Sequence, residues 1–205
     1  FLRFVDDVLV TAPTDLDYLK KKYSNHKHLN WHVIYNYPMN VDVLNPKNLR
    51  EDFSIPDDNI MVLYQGVLHK GRGISKLIKL TSLDPNVSSI IIGDGVEKDS
   101  YINYAELLNV SNRVFFVDKV SYLELFEYSF CCDIGWAVII NDSLNYRYAL
   151  PNKLFEYLLS GLPVVASPLE NIENIIQSHG VGRLVDYNDS KKQLEVVQFL
   201  SKNKF

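Results

Sequence analysis

The sequence predicts an α/β protein built around a doubly wound parallel sheet. First, short strand-like runs alternate with helix-like segments along nearly the whole chain, as repeated strand–helix–strand units do. Second, two of the runs, IMVLY at 60–64 and SIIIG at 89–93, are continuous rather than alternating in their apolar residues. That pattern is typical of parallel strands covered by helices on both faces. Third, the composition is that of a globular protein, with 47% hydrophobic and 12% aromatic residues among 205.

Each predicted element follows from its local sequence. The predicted strands are short runs rich in β-branched and aromatic residues, at 5–12, 31–36, 60–66, 89–95, 113–118, 133–139, 162–167 and 182–187. The predicted helices lie between or after them, at 14–23, 73–82, 97–108, 121–131, 151–160, 169–178 and 190–201. In the helix at 151–160, Pro151 suits the first helical position, and Gly161 and Pro163 end the helix.

A polar segment at 37–59 interrupts the alternation with three prolines and several Asn and Asp residues. We place a domain boundary within it. Residues 1–45 are predicted to be the remnant of a preceding domain with its linker, and residues 46–205 to be the main domain. Because the chain opens on Phe1 inside an apolar, strand-like run, we expect it to be a fragment of a longer protein.

The overall charge and the cysteines exclude several classes of protein. The net charge is −4 without a block of like charge, so we expect no nucleic-acid partner. The two cysteines, Cys131 and Cys132, are adjacent, which excludes a disulfide framework and suits a reducing compartment. No apolar run reaches the ~18–20 residues of a membrane span. We therefore expect a cytoplasmic protein.

The closest approaches to a metal site are the pair Asp15 and Asp17 and the histidines between residues 26 and 32. The aspartates fit the start of a helix better, and the histidines fit a solvated turn. We therefore predict no metal site.

The candidate chemistry lies just after the strands, because open α/β sheets bind ligands beyond the carboxyl ends of their strands. The first such segment is GVLHKGRG at 66–73, which lacks the Gly-Lys-Ser/Thr ending of a Walker loop. Its glycines would let the backbone approach an anion, and its basic side chains would add positive charge. These residues are Gly66, Gly71 and Gly73 with His69, Lys70 and Arg72. A flexible surface turn with incidental bases is the alternative.

The second segment, GDGVEKD at 93–99, resembles half of a dinucleotide-binding fingerprint, but the spacing of the glycines fails. We interpret Gly95 as permitting a tight turn into the following helix.

The third segment is PNKLFEYLLSGLP at 151–163. The amides of Asn152, Lys153 and Leu154 would be unpaired at the positive end of the helix dipole, where an anion can bind. An apolar face that includes Leu154 and Phe155 would pack on the sheet, which leaves Glu156 on the opposite, polar face. An acid there is either favourable dipole chemistry or an acceptor for the vicinal hydroxyls of a ribose.

Taken in order, the motifs YQG…KGRG, IIIGDG, NRVFFVDKV, CCDIGW and LPNKLFEYLLSGLPVVAS resemble those of retaining glycosyltransferases of the B-type fold. More narrowly, they are similar to the bacterial group 1 sugar transferases. The resemblance covers residues 60–187, and the segments at 4–19 and 33–38 resemble the last elements of that family's N-terminal domain. It implies the C-terminal, Rossmann-like half of a two-domain fold, which binds the nucleotide sugar.

The resemblance also implies roles for individual residues. Glu156 would bind the ribose, and Arg72 with Gly73 would neutralise the leaving diphosphate, with Lys70 as a nearby substitute. The amides that would bind the diphosphate belong to Asn152, Lys153, Leu154 and Phe155. The loop that would flank the base contains Val117, Asp118, Lys119 and Val120. Neither a metal nor a cofactor other than the donor substrate is implied.

Two positions depart from the family's pattern. Many members have a sugar-contacting glutamate eight positions before the ribose glutamate, where this chain has Tyr148. Sugar recognition would then differ, or depend on Asn145, Tyr148 or Asn152. An arginine usually follows the first glycine of the loop, but Val67 follows Gly66 here, so Arg72 would replace it.

The implied function is retaining transfer of a sugar from a nucleotide diphosphate sugar to a glycan or lipid-linked acceptor in cell-surface polysaccharide synthesis, such as that of lipopolysaccharide. The acceptor would bind through the missing N-terminal domain, which could also contact the cytoplasmic face of the inner membrane. We expect the 205-residue chain alone to be inactive. A nucleotide-sugar epimerase of the same fold and a non-catalytic nucleotide-binding module remain the alternatives.

Overall fold

The computed structural model describes residues 2–41 and 46–203. After a 3-10 turn at Leu2–Phe4, the described strands are β1 Asp7–Val10, β2 Asn30–Val33, β3 Ile60–Gln65, β4 Val87–Ile92, β5 Val114–Val117, β6 Ile134–Ala137, β7 Val164–Ala166 and β8 Gly182–Leu184. The described helices are α1 Pro13–Lys22, α2 Leu49–Asp52, α3 Ile74–Leu83, α4 Lys98–Leu107, α5 Tyr122–Ser129, α6 Leu144–Arg147, α7 Asn152–Leu159, α8 Glu170–His179 and α9 Ser190–Lys202.

The main sheet has six strands in the order β5-β4-β3-β6-β7-β8, and all of its pairs are parallel. The chain builds outward from β3 through β4 to β5, then returns to place β6 on the other side of β3. This reversal creates a crevice at the carboxyl ends of β3 and β6, where ligands bind in sheets of this kind. The predicted doubly wound parallel sheet is confirmed.

The core has one layer on each face of this sheet. Alternate residues of β3 enter opposite layers: Val62 and Tyr64 belong to one cluster, and Met61 and Leu63 belong to the other. The first layer contains residues of α3, α4 and α9, and the second contains residues of α7 and α8. The continuous apolar run of β3 is thus explained by burial on both faces.

The predicted elements are present, mostly shorter than predicted, while the one-turn helices α2 and α6 were not predicted. They are too short to show helical periodicity. Strands β1 and β2 form a separate parallel pair. Helix α1 contacts the main domain through Asn171 of α8, whose Nδ2 donates to Thr14 Oγ1 at 2.6 Å. The predicted domain boundary lies between residues 45 and 46, and it adjoins residues 42–45, which are outside the described residues.

Candidate functional site

Two adjoining cavities occupy the crevice at the carboxyl ends of the central strands. The larger, of about 520 Å³, is mostly apolar and is lined by the ends of β3 and β4, the loop after β5 and the start of α5. The smaller, of about 350 Å³, lies between the end of β3 and the start of α7. We call the larger the apolar cavity and the smaller, which Arg72, Lys153 and Glu156 line, the polar cavity. They share Gly66, Val67 and Leu125.

The loop at 66–73 is held in place through its carbonyl groups. Side-chain donors reach the carbonyl oxygens at short range: Tyr64 Oη to Val67 at 2.7 Å, Tyr101 Oη to His69 at 3.0 Å, Tyr146 Oη to Lys70 at 2.8 Å and Trp136 Nε1 to Gly73 at 2.9 Å. The Ile140 amide also donates to the Gly71 carbonyl, at 2.9 Å. A loop fixed in this way is preorganised. These hydrogen bonds argue against the alternative interpretation, in which the segment is a flexible surface turn.

Two of the predicted glycines are needed for the shape of this loop. Gly71 and Gly73 have φ values of +79° and +74°, which other residues rarely adopt. A Cβ at Gly73 would overlap the Val138 carbonyl oxygen, and a Cβ at Gly71 would lie 2.7 Å from the Ile140 side chain. Gly73 is also the N-cap of α3. The loop therefore passes too close to the end of β6 for side chains at these positions.

Helix α7 begins one residue later than predicted. Pro151 is its N-cap, with extended backbone, and Asn152 is the first helical residue. The amide of Leu154 donates to the Pro151 carbonyl at 3.0 Å, so it is not free for an anion, contrary to the prediction. The amides of Asn152 and Lys153 precede any intrahelical acceptor. Both of these residues line the polar cavity.

Glu156 is buried, with 9% of its surface exposed, and it lies on the side of α7 opposite the apolar core, where it lines the polar cavity. Gln65 Nε2 donates to Glu156 Oε2 at 2.5 Å, and Gln65 Oε1 accepts from Ser129 Oγ at 3.2 Å. The first turns of α7 lie over the carboxyl end of β3, so the side of the helix away from the apolar core faces the crevice rather than water. Burial raises the pKa of the Glu156 carboxyl, although the Gln65 hydrogen bond and the charge of Lys153 oppose this.

The buried stretch of α7 also differs from the predicted apolar face. It runs from Lys153 to Tyr157, whereas Leu158 and Leu159 are only partly buried. Phe155, whose amide was predicted to bind diphosphate, packs edge-on against Tyr37 with ring centroids 4.8 Å apart. The segment after β2 thus covers a second side of the helix.

The two predicted cations lie in different places. Arg72 lines the polar cavity, and its guanidinium carbon lies 5.1 Å from the centroid of the Tyr146 ring. Lys70 is exposed and pairs with Glu97 at 3.6 Å, and it does not line the polar cavity. Arg72 is therefore better placed than Lys70 to contact an anion there.

The predicted base-flanking loop contributes half of its residues. Lys119 and Val120 line the apolar cavity. Val117 is the last residue of β5, and Asp118 is exposed and forms an ion pair with Lys98. Since Val117 and Asp118 do not line that cavity, Lys119 and Val120 remain the candidates for contact with a ligand.

Of the proposed sugar-recognition residues, only Asn152 lines the polar cavity. Its Oδ1 accepts from Asn36 Nδ2 at 2.9 Å, which links it to the segment after β2. The Tyr148 carbonyl accepts from Asn171 Nδ2 at 2.8 Å, and the Tyr148 ring lies 5.9 Å from that of Tyr18. Tyr148 thus joins α1 to the main domain. Asn145 is exposed.

Two side chains of the site were not predicted from the sequence. Gln65 is 2% exposed and holds Glu156. Lys153 is 7% exposed, whereas the sequence predicted a role in anion binding only for its amide. The available signals were a polar residue that ends the apolar run IMVLYQ and a lysine directly before the apolar pair Leu154 and Phe155 in the first turn of the helix. Within residues 2–41 and 46–203, no group of three or more His, Cys, Asp or Glu side chains could hold a metal ion.

Comparison with known proteins identifies the family. Residues 45–204 match the family described as glycosyl transferases group 1. The chain belongs to this family. It is 26% identical over 174 residues to the O-antigen biosynthesis glycosyltransferase WclY of Escherichia coli, a match that covers 84% of this chain and 46% of WclY. This group 1 glycosyltransferase chain thus spans about half the length of the curated relatives it matches.

Solved structures support the fold. WaaG, a glycosyltransferase involved in lipopolysaccharide biosynthesis, superposes with a TM-score of 0.72 at 16% identity, covering 95% of this chain and 53% of WaaG. HepE from Anabaena, in complex with UDP and glucose, gives 0.78 at 20% identity, covering 96% and 54%. The predicted B-type glycosyltransferase fold is confirmed. Among the residues that the structure describes, none of the helices is both long and apolar enough to span a membrane.

Proposed function

We propose that this chain is the donor-binding half of a glycosyltransferase and holds the nucleotide diphosphate part of a nucleotide sugar across the two cavities. The observation that carries the proposal is the polar cavity itself. It combines the amide end of α7 and Arg72, which favour an anion, with Glu156, a buried carboxylate that can accept hydrogen bonds from hydroxyls. A ligand with phosphates next to a ribose satisfies both kinds of group.

The position of the base follows from the adjoining cavity. Its polar surface is small, and Ile92, Val120 and Leu125 offer apolar contacts for a planar ring. Because the two cavities share Gly66 and Val67, one ligand can occupy both, with its ribose between its base and its phosphates. UDP is present in the HepE complexes, which makes uridine nucleotides the first to test.

The donor sugar would lie beyond the phosphates, near Asn152 and the Asn36–Asn152 hydrogen bond. Transfer with retention of configuration requires stabilisation of charge on the departing diphosphate. Preorganised donors in a water-poor site provide this most effectively, and here they are the free amides of α7 and the guanidinium of Arg72. With these groups in place, we propose that no metal ion is needed. By analogy with the named functions of WclY and WaaG, the acceptor would be a growing surface polysaccharide.

The test is a stability and affinity screen of the 205-residue chain against nucleoside diphosphates and nucleotide sugars, each with and without EDTA. A true ligand at one hundred times its dissociation constant should stabilise the chain by about 2.7 kcal/mol. Lack of stabilisation by every nucleotide would refute the proposal. Loss of the effect on adding EDTA would refute the metal-free site. Assays of the longer protein for transfer and for epimerisation of the preferred donor would then separate the two reaction classes.

A further inference from the structure

Lys153, which lines the polar cavity, carries a buried ammonium group without a hydrogen-bond partner among the described residues. Lys153 is 7% exposed, and its Nζ forms no hydrogen bond with any described residue. Leaving such a group unpaired in the interior is costly, because burial removes the water that solvates its charge. Its nearest compensation is the face of the Tyr64 ring, whose centroid lies 3.7 Å from Nζ. A cation over an aromatic ring is stabilised only in part.

The surroundings add positive charge. Arg72 lines the same cavity, and Lys153 is the second residue of α7, at the positive end of its dipole. Burial and the charge of Arg72 lower the pKa of the Lys153 ammonium well below its usual value, and Glu156 opposes this only in part. Two cationic side chains and a helix N-terminus thus converge on a cavity that contains one carboxylate.

A guanidinium, a helix N-terminus and a buried amine without a partner at one cavity favour a multiply charged anion as its ligand, since such an anion would stabilise the protonated form of Lys153. We propose that Lys153 Nζ binds a phosphate of the nucleotide diphosphate and supplies, with Arg72, the side-chain charge that neutralises it. The inference depends on the proposed function, in which the same cavity receives the diphosphate. It replaces Lys70 in that role, because Lys70 is exposed and already paired with Glu97.

The arrangement differs from a structural lysine in a measurable way. Replacing a structural lysine would lower the stability of the protein, because the interaction of its ammonium with a protein partner offsets the free-energy cost of burying the charge. Lys153 has no such partner, so an apolar side chain of similar length should pack on Tyr64 equally well and remove an unfavourable charge. Binding and stability should therefore change in opposite directions.

The experiment compares Lys153→Met with the parent chain and with Lys76→Met. Lys76 is a matched control because its Nζ lies 4.8 Å from the centroid of the Tyr187 ring, yet it does not line the polar cavity. The ligands are the nucleoside diphosphate selected by the screen, its nucleoside and inorganic pyrophosphate. Melting temperature and dissociation constant are measured for each protein.

We expect Lys153→Met to melt at or above the parent and to weaken binding of the diphosphate and of pyrophosphate by about 10- to 150-fold, the range for hydrogen bonds to charged groups. Binding of the nucleoside should change little, and Lys76→Met should bind every ligand like the parent. A Lys153→Met chain that fails to fold, melts below the parent, or binds the diphosphate as tightly as the parent would overturn the inference and leave the proposed function standing.

The pyrophosphate measurements separate the remaining outcomes. If the parent binds no nucleotide but binds pyrophosphate, and Lys153→Met abolishes this, the anion site stands and the proposed function fails. If the parent binds neither nucleotide nor pyrophosphate, both are refuted.

Discussion

Replacing Glu156 with glutamine tests whether a buried carboxylate is present for binding rather than for folding. The Glu156→Gln change keeps the shape of the side chain and an oxygen that can still accept from Gln65 Nε2, the partner seen at 2.5 Å. What it removes is the charge. A ribose hydroxyl bound to a carboxylate gains about 1.5–3 kcal/mol. Affinity for the nucleoside diphosphate should therefore fall by about 10- to 150-fold.

The effect on stability should have the opposite sign. Burial raises the pKa of Glu156 in the folded chain above its unfolded value, so the folded chain binds protons more tightly between the two values. Its stability consequently declines as the pH rises through that window, and the cost is fully present above the folded pKa. Because glutamine does not titrate, Glu156→Gln should melt at or above the parent at pH 7.5. The advantage should shrink as the pH falls towards the unfolded value.

The assay is calorimetric titration of both chains with the selected nucleoside diphosphate at pH 7.5, together with thermal melts at pH 5 and pH 7.5. Glu97→Gln is the matched control, because that glutamate is also largely buried and pairs with Lys70 outside the cavity. It should bind nucleotide like the parent. If Glu156→Gln binds as tightly as the parent, or melts clearly lower at pH 7.5, the carboxylate is structural and the assignment of the ribose site is wrong.

Three further predictions concern the loop, the phosphate site and the extent of the chain. Arg72→Ala should weaken binding of the diphosphate by at least about tenfold more than that of the nucleoside in the same titrations, because its proposed partner is phosphate; equal losses would place Arg72 outside the site. Gly73→Ala should lower the free energy of unfolding in urea by at least about 1–3 kcal/mol, the cost of a strained backbone, because its Cβ would overlap the Val138 carbonyl; an unchanged midpoint would refute this. The 205-residue chain should bind nucleotide without transferring sugar, because it covers only 46% of WclY; labelled-donor assays beside the longer protein would refute this if the rates were comparable.

The sequence was sufficient to predict the fold and to predict which segments meet at the crevice. Continuous apolar runs such as that of β3 indicate burial on both faces of a sheet, and each polar or glycine-rich segment after a strand falls at the same edge. The motif around α7 therefore pointed to the crevice without any knowledge of distances. The doubly wound topology then placed the loop at 66–73 beside it.

The side chains within the site were harder to predict, for physical reasons. Helical periodicity assumes one buried face and one solvated face, but α7 has the core on one side and the crevice on the other, so Glu156 is buried on its polar side. Contact between Gln65 and Glu156 joins residues 91 positions apart, which no local pattern reports. The sequence predicts a role only for the Lys153 amide, because a lysine is almost never fully buried without a partner.

Electrostatics in the crevice explain why these two residues belong together. Glu156 and Lys153, an acid and a base, are both buried on one turn of α7, yet Lys153 Nζ has no hydrogen bond to the carboxylate. An ion pair formed for stability would close that gap, and an apolar pair of similar size would stabilise the fold more than two separated charges. Under the proposed function their favourable partners would lie in the ligand, with a hydroxyl group facing the carboxylate and a phosphate facing the ammonium. A ribose diphosphate carries those two groups next to each other, so the features of α7 that weaken the isolated fold would be those that strengthen the proposed complex.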